Sequence, residues 1–300
     1  MTAPGPLAAR IGALTGTTVR RLTPVSGGDI CDAYRADLDR PAAGHGAGRT
    51  VFAKTRPGAP ADFFAAEAAG LERLGATGTV AVPGVLAAEP GLLVLTWIEP
   101  GAPTPAAAER LGRDLAALHS TPAPHYGATG PLYLGTVPLT TPDPPPAAPA
   151  DWPAFHAEHR LLPLLRMAVD NGGIGARDAA DVERLCDRIA EVAGPPQPPA
   201  VIHGDLWAGN ILWSDRPALI DPAAQGGHPE ADLAFLEAFG TPHADRLLAA
   251  YEEVRPLPGR RERAPLHLLH HLLVHAALFG GGYGRQCGSA ARAALGAAAP

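Results

Sequence analysis

The stretch HGDLWAGNILWSDRPALIDP at positions 203–222 holds residues whose types and spacing suit one reaction. Asp205 is a carboxylate able to accept or orient the proton of an attacking hydroxyl. Asn210 follows in the same loop, and Asp221 lies beyond a short hairpin in which ILW and ALI are joined by SDRP. Both offer oxygen ligands to a hard divalent cation such as Mg2+. Moving the γ-phosphoryl group of ATP asks a protein mainly for positioning and charge neutralisation, and this set supplies both. His203 is read as a brace for the loop rather than a titrating group, and with Trp207 it is placed on the acceptor side of the site.

Lys54 is the only lysine among 24 Lys and Arg residues. Arginine serves wherever a surface needs only positive charge, so a single retained lysine points to a compact ammonium kept for its chemistry. Lys54 closes an alternating segment, TVFAKT, and Glu67 sits in the helix-patterned segment that follows, flanked by alanines. That order suits an ion pair presenting the ammonium to the α- and β-phosphates. Upstream, Ser26-Gly27-Gly28 lies between two strand-like segments, where Gly27 and Gly28 could lay backbone N–H groups over phosphates. A plain hairpin turn would carry the same residues. Cys31 just beyond is read as a small hydrophobe on a strand. The run HLLHHLLVH puts His267, His271 and His275 on one helix face; a metal there would need another ligand, and no carboxylate or cysteine is evident beside it.

The elements that must position these residues follow from periodicity. A short helix at 5–15 precedes RRLTPV and CDAYRADL, two strands either side of the glycine turn, then TVFAKT as a third. Residues 61–76 are helical by the spacing of Phe64, Ala68, Leu71 and Gly75. VPGVLAAEPGLLVLTWI gives two more strands split by Glu-Pro-Gly, the second continuously apolar and so buried. Five strands and a helix make the small N-lobe of a bilobal, protein-kinase-like α+β fold, with residues 1–98 in the N-lobe and 99–300 in a mainly helical C-lobe. Beyond the linker EPGAPTP, helices are expected at 106–120, from Asp151 onward with Pro153 in the first turn, and at 177–193, 229–240, 242–254 and 262–279. Residues 121–150, rich in proline, read as a long loop.

Bulk properties exclude other classes. The net charge of −6 is scattered, which argues against a nucleic-acid partner. No apolar run approaches a membrane span, and no basic-then-apolar leader opens the chain. Three widely spaced cysteines form neither a disulfide framework nor a metal knuckle, so a cytoplasmic setting is expected.

HGDLWAGN, with Trp207 directly after Asp205-Leu206, resembles the fructosamine/ketosamine-3-kinase family, relatives of the aminoglycoside phosphotransferases. IDPAAQGGHPEADLAF and LYLGTVPLTT followed by DWPAFHAEHRL resemble further segments of that family. The resemblance implies Asp205 as catalytic base, Asn210 and Asp221 as metal ligands, and Thr96, Trp97 and Ile98 as the hinge whose backbone meets adenine. It implies that Trp207 walls the sugar amine. It further implies phosphorylation of the carbon-three hydroxyl of a ketosamine, on a small glycated amine or a glycated protein, which frees the amine. One departure is Asp29, where many members carry cysteine; Cys31 is displaced by two positions, so a thiol switch is not carried over.

The nearest alternative is a kinase for an aminoglycoside or free amino sugar, whose polycationic substrate would call for acidic residues in the last helices. Glu230, Asp232, Glu237, Asp245, Glu252, Glu253 and Glu262 are candidates, but the His/Leu-rich helix among them favours a neutral sugar. An alternative of another class, a nucleotide-binding pseudokinase regulator, would be expected to lack the lysine, base or metal ligands, and all are present.

Overall fold

The computed structural model describes residues 5–26, 30–43, 48–141 and 151–297. Five antiparallel strands form one sheet: β1 (Val19–Val25), β2 (Asp32–Leu38), β3 (Thr50–Thr55), β4 (Val85–Glu89) and β5 (Leu92–Thr96), in the order β1-β2-β3-β5-β4. Alternation of side chains across β5 explains why it is apolar throughout. Leu92 and Val94 join Ile11, Val19 and Val51 beneath helix α1 (Pro6–Thr15), whereas Leu93 and Leu95 join Phe64, Ala68 and Leu71 of helix α2 (Phe63–Ala76) on the other face. The strands and both helices match the sequence expectation. Gly27, Gly28 and Asp29 lie outside the described residues.

The remainder is mainly helical: α3 (Pro105–Leu118), α4 (Trp152–His156), α5 (Leu162–Asp170), α6 (Ala176–Asp187), α7 (Ile189–Val192), α8 (Pro229–Phe239), α9 (Ala244–Val254), α10 (Arg260–Phe279) and α11 (Tyr283–Ala297). Thr104 and Asp151 cap α3 and α4 by accepting from Ala107 N and Ala154 N. Short strands β6 (Tyr133–Leu134), β7 (Val137–Pro138), β8 (Ala200–Ile202), β9 (Ile211–Leu212), β10 (Ala218–Leu219) and β11 (Gln225–Gly227) pair as β6-β7, β8-β11 and β9-β10. Between α4 and α5 a π-helical turn at Ala157–Leu161 turns buried Arg160 toward Thr140 O, at 2.7 Å, and Gln225.

Two expectations need correction, and one element is added. The single helix at 177–193 is two, α6 and α7, broken at Arg188. The proline-rich stretch at 121–150 is not all loop, because residues 132–139 form the β6-β7 hairpin; residues 142–150 lie outside the described residues. Helix α11 was not foreseen: its buried face is Cys287, Ala290, Ala291 and Ala294, too small to stand out as an apolar stripe.

Imidazoles form a seam through the helical core. His156, His228, His267, His270 and His271 are buried, with Trp152 stacked on His156 and tilted against His228 and His267. Burial pushes all five, and His203, below the usual histidine range, His270 to about 3. Such groups stay neutral in the folded protein but protonate near pH 6.5 once unfolded, so their contribution to stability is present above pH 6.5 and is lost as pH falls. Each removes up to about 1.4 kcal/mol per pH unit. Asp205 and Glu67, raised by burial to about 7, work in the opposite sense but are only two. The melting midpoint is therefore expected to drop by about 5–10 °C between pH 7.5 and 5.5; a midpoint that holds or rises in thermal melts over that range would contradict the neutral seam.

Candidate active site

The loop 203–210 leaves β8 and is held from beneath by a carboxylate. Asp232, fully buried in the first turn of α8, accepts from His203 N at 2.7 Å and Gly204 N at 2.8 Å. His119 at the end of α3 lies 3.1 Å from the same carboxylate and 2.9 Å from the Tyr251 hydroxyl on α9. Burial works against the charge of Asp232, but the bond from His119 and the flanking imidazoles hold its carboxyl below the usual range. Gly204 takes a φ of 81°, and a Cβ there would collide with Ala223 O, so only glycine fits. His271 of α10 contacts Gly204 O at 3.2 Å and is stacked on Phe235 at 3.7 Å.

His203 is fully buried; its Nε2 donates to Ile220 O at 2.9 Å, and its Nδ1 accepts from Asp205 N at 3.2 Å. This is the brace expected from the sequence. Its placement on the acceptor side is corrected, because both ring nitrogens are committed behind the loop. Trp207, by contrast, is 40% exposed, with its indole folded over Gly209, where a side chain would strike the ring.

The turn after Trp207 is a 3-10 helix, Ala208–Asn210, and the β9-β10 hairpin returns the chain so that Ile220 N donates to Asn210 O at 3.1 Å. This brings Asp221 back beside Asn210. The Asn210 Nδ2 donates to Asp205 O at 2.8 Å and to Asp205 Oδ2 at 3.3 Å, which leaves the amide oxygen available as a ligand. Burial, then the neighbouring charge of Asp221, raises the Asp205 carboxyl to about 7. Asp221 itself has φ 53°, a left-handed conformation rare for a residue other than glycine.

From the sheet, Lys54 Nζ reaches Glu67 at 3.0 and 3.1 Å and Asp221 Oδ2 at 3.0 Å. Burial alone would lower the pKa of this ammonium, yet the two carboxylates outweigh it and hold the charge firmly on. Burial and the proximity of Asp221 push Glu67 up to about 7 against the pull of Lys54. Helix α2 can lie this close because Gly70 faces Pro222, where a Cβ would sit 3.1 Å from the proline ring. One ammonium thus meets the carboxylates of Glu67 and Asp221, with a third carboxylate, Asp205, close enough to feel the charge of Asp221. A polyphosphate could not settle there without further positive charge, and the exposed Asp221 carboxylate with the Asn210 amide oxygen is a donor set suited to a hard cation.

At the end of β5, Thr96 N donates to Gly84 O and its hydroxyl accepts from Gly84 N, each at 2.8 Å. Trp97 Nε1 donates to Glu99, and the Arg35 guanidinium lies 5.0 Å from its ring. Among the described residues the amides of Trp97 and Ile98 have no backbone partner. Burial raises the Cys31 thiol, consistent with a packing role. The expectation that no carboxylate accompanies the histidine run is overturned. Glu230 Oε2 lies 3.1 Å from His267 Nε2, with His228 beside it, but Arg263 already pairs with both oxygens of Glu230, at 2.5 and 3.0 Å. His119 escaped the sequence reading, and Asp232 and His271, read there as a possible substrate-side acid and as part of the histidine run, were not expected against the loop; the only local sign was an aspartate placed among buried apolar residues in PEADLAF.

With this geometry in place, likenesses to known proteins acquire meaning. The fructosamine kinase family model matches residues 8–296. A probable ketoamine kinase from Thermus thermophilus is 38% identical over 263 residues, covering 87% of this chain and 88% of the relative. A solved structure of a "putative fructosamine-3-kinase" from Thermobifida fusca is 43% identical, covers 98% of this chain and 99% of its own, and superposes with a TM-score of 0.87. The gentamicin complex of APH(2")-IIa, at 13% identity and a TM-score of 0.60, shares the fold alone. The chain has the bilobal α+β fold of the aminoglycoside phosphotransferases and protein kinases, is a kinase, and belongs to the fructosamine kinase family.

Proposed function

We propose that this kinase transfers the γ-phosphoryl group of ATP to the carbon-three hydroxyl of a ketosamine, with Mg2+ held by Asn210 and Asp221, and so promotes release of the glycated amine. Residues 1–98 would present the nucleotide and residues 99–300 the acceptor. The observation that carries this reading is the convergence of Lys54, Asp221, Asn210 and Asp205 within one charge cluster, Asp205 and Asn210 lying on a loop that also carries the exposed Trp207. The ketosamine is suggested by the family and the name of the Thermus relative, and the carbon-three position by the name of the Thermobifida structure and the motif resemblance.

Each side chain has a task in this mechanism. Glu67 fixes Lys54 so that the ammonium faces the α- and β-phosphates. Asn210 orients Asp205, whose carboxylate takes the proton of the attacking hydroxyl; the elevation to about 7 brings its basicity near neutral pH. When bound, the cation would neutralise charge that builds on the transferring phosphoryl group. The Trp207 indole offers a flat wall on which a sugar ring can lie. The backbone of Thr96, Trp97 and Ile98 would meet adenine, and the segment carrying Gly27 and Gly28 would cover the phosphates.

The antibiotic-kinase alternative is weakened by where the acidic residues go. Glu230 pairs with Arg263, Asp232 holds the loop, and Glu237 and Glu252 both bind Arg260. None of these four is free to meet a polycation.

ATP consumption measured on a panel of ketosamines beside aminoglycosides tests the reading; turnover confined to aminoglycosides would overturn it. Asp205→Asn should retain ATP affinity while turnover falls by about 100-fold or more, and preserved turnover would remove the base assignment. Lys54→Arg keeps the charge but replaces the compact ammonium with a broad planar fork between Glu67 and Asp221. Its kcat/KM for ATP should fall at least about tenfold, and wild-type kinetics would count against contact with phosphate.

A further inference from the structure

We infer that the β6-β7 hairpin is a latch between the lobes and that Tyr133 is a positioning residue, setting Glu67 by holding the start of α2. The inference rests on the assignment of Lys54 and Glu67 to the nucleotide. In the segment PLYLGTVPL, side chains alternate. Leu132, Leu134, Val137 and Leu139 are buried in the helical core with Phe155 and Leu161, whereas Tyr133 packs into the cluster of the N-terminal sheet. The hairpin is therefore anchored in one lobe and turns a single aromatic residue to the other.

The contacts of Tyr133 fall at one end of α2. Its hydroxyl donates to Asp62 Oδ1 at 2.8 Å, and its ring lies 5.1 Å from Phe63. Phe63 is also held by Phe64 at 5.2 Å and by the Arg56 guanidinium at 5.2 Å. Asp62 occupies the N-cap position, where an aspartate ordinarily accepts from the helix amides, yet it makes no such bond. Its carboxylate faces the hairpin instead. Glu67 lies one helical turn beyond Phe63, so a shift or rotation that opened the Lys54–Glu67 pair would have to break the Tyr133 contact. Besides its packing on the sheet, α2 is restrained by the Gly70–Pro222 approach, which comes from the segment carrying Asp221. At the hairpin tip, Gly135 has φ 60° and sits close to Ile30 and to Leu278, so the same turn borders the residue that follows the glycine segment and helix α10.

The test is calorimetric titration of ATP with Mg2+ on the full chain, which needs no knowledge of the acceptor. Tyr133→Phe removes only the hydroxyl and keeps the ring. It should weaken ATP binding about three- to tenfold with little change in the melting midpoint. Asp62→Asn should weaken binding to a similar extent, and combining the two should add little. In a Glu67→Gln background, Tyr133→Phe should have an effect of less than about twofold, because the residue through which it acts is gone. Unchanged ATP affinity in Tyr133→Phe, or a full-sized effect in the Glu67→Gln background, overturns the latch. Wild-type ATP affinity in Glu67→Gln alone overturns instead the nucleotide assignment beneath it.

Discussion

Two carboxylates from opposite lobes, Glu67 on α2 and Asp221 after the β9-β10 hairpin, meet on one ammonium, that of Lys54. Burial of this degree works against the charge of a lysine; held between two carboxylates the ammonium keeps it. Removing one partner of a buried pair typically costs about 3–5 kcal/mol, because the charge left behind has lost both water and its counter-ion. The interaction therefore does more than hold the lobes together. It fixes a positive charge beside Asp221 and leaves an excess of carboxylate once Asp205 is counted, the setting in which the proposed cation would be bound.

The surrounding structure makes that arrangement rigid. Asp221 sits in a left-handed backbone conformation whose strain is of order 1–3 kcal/mol, and neighbouring packing must hold it there. The approach of Gly70 to Pro222 supplies part of that packing. On the opposite side, the Asp232 carboxylate binds two consecutive loop amides and ties them to His119 and Tyr251, so α3, α8 and α9 all converge beneath Asp205. His203 adds a lateral bond to Ile220 O, locking the loop to the residue before Asp221. Asp205, Asn210 and Asp221, the proposed base and oxygen ligands, are in this way held by one connected set of buried polar groups, the arrangement preorganised catalysis calls for.

Much of this was legible in the residues, for identifiable reasons. The order and spacing of Asp205, Asn210 and Asp221 are local, because the loop and hairpin are short. Lys54 stood out as the only lysine, and Glu67 lies in the next element. The doubly buried β5 announced itself by unbroken apolar character. What stayed hidden depends on distant contacts. Asp232 reads as an ordinary first-turn aspartate until His119, more than a hundred residues earlier, is brought against it. Tyr133 sits in a proline-rich stretch without a strong strand signal, and its partner Asp62 looks like a simple helix cap. His203 was placed too near the acceptor because sequence neighbours in a tight loop need not face the same way. Glu230 was not linked to His267 because α8 and α10 are joined only by tertiary packing.

Phosphorus NMR of the product made from ATP and a fructose-derived amine bears most directly on the central claim, since it reads both the bond formed and its position. The account predicts a phosphomonoester on carbon three of the sugar, with free amine appearing as that product decays. A phosphoryl group on any other hydroxyl, or on the amine, would contradict it.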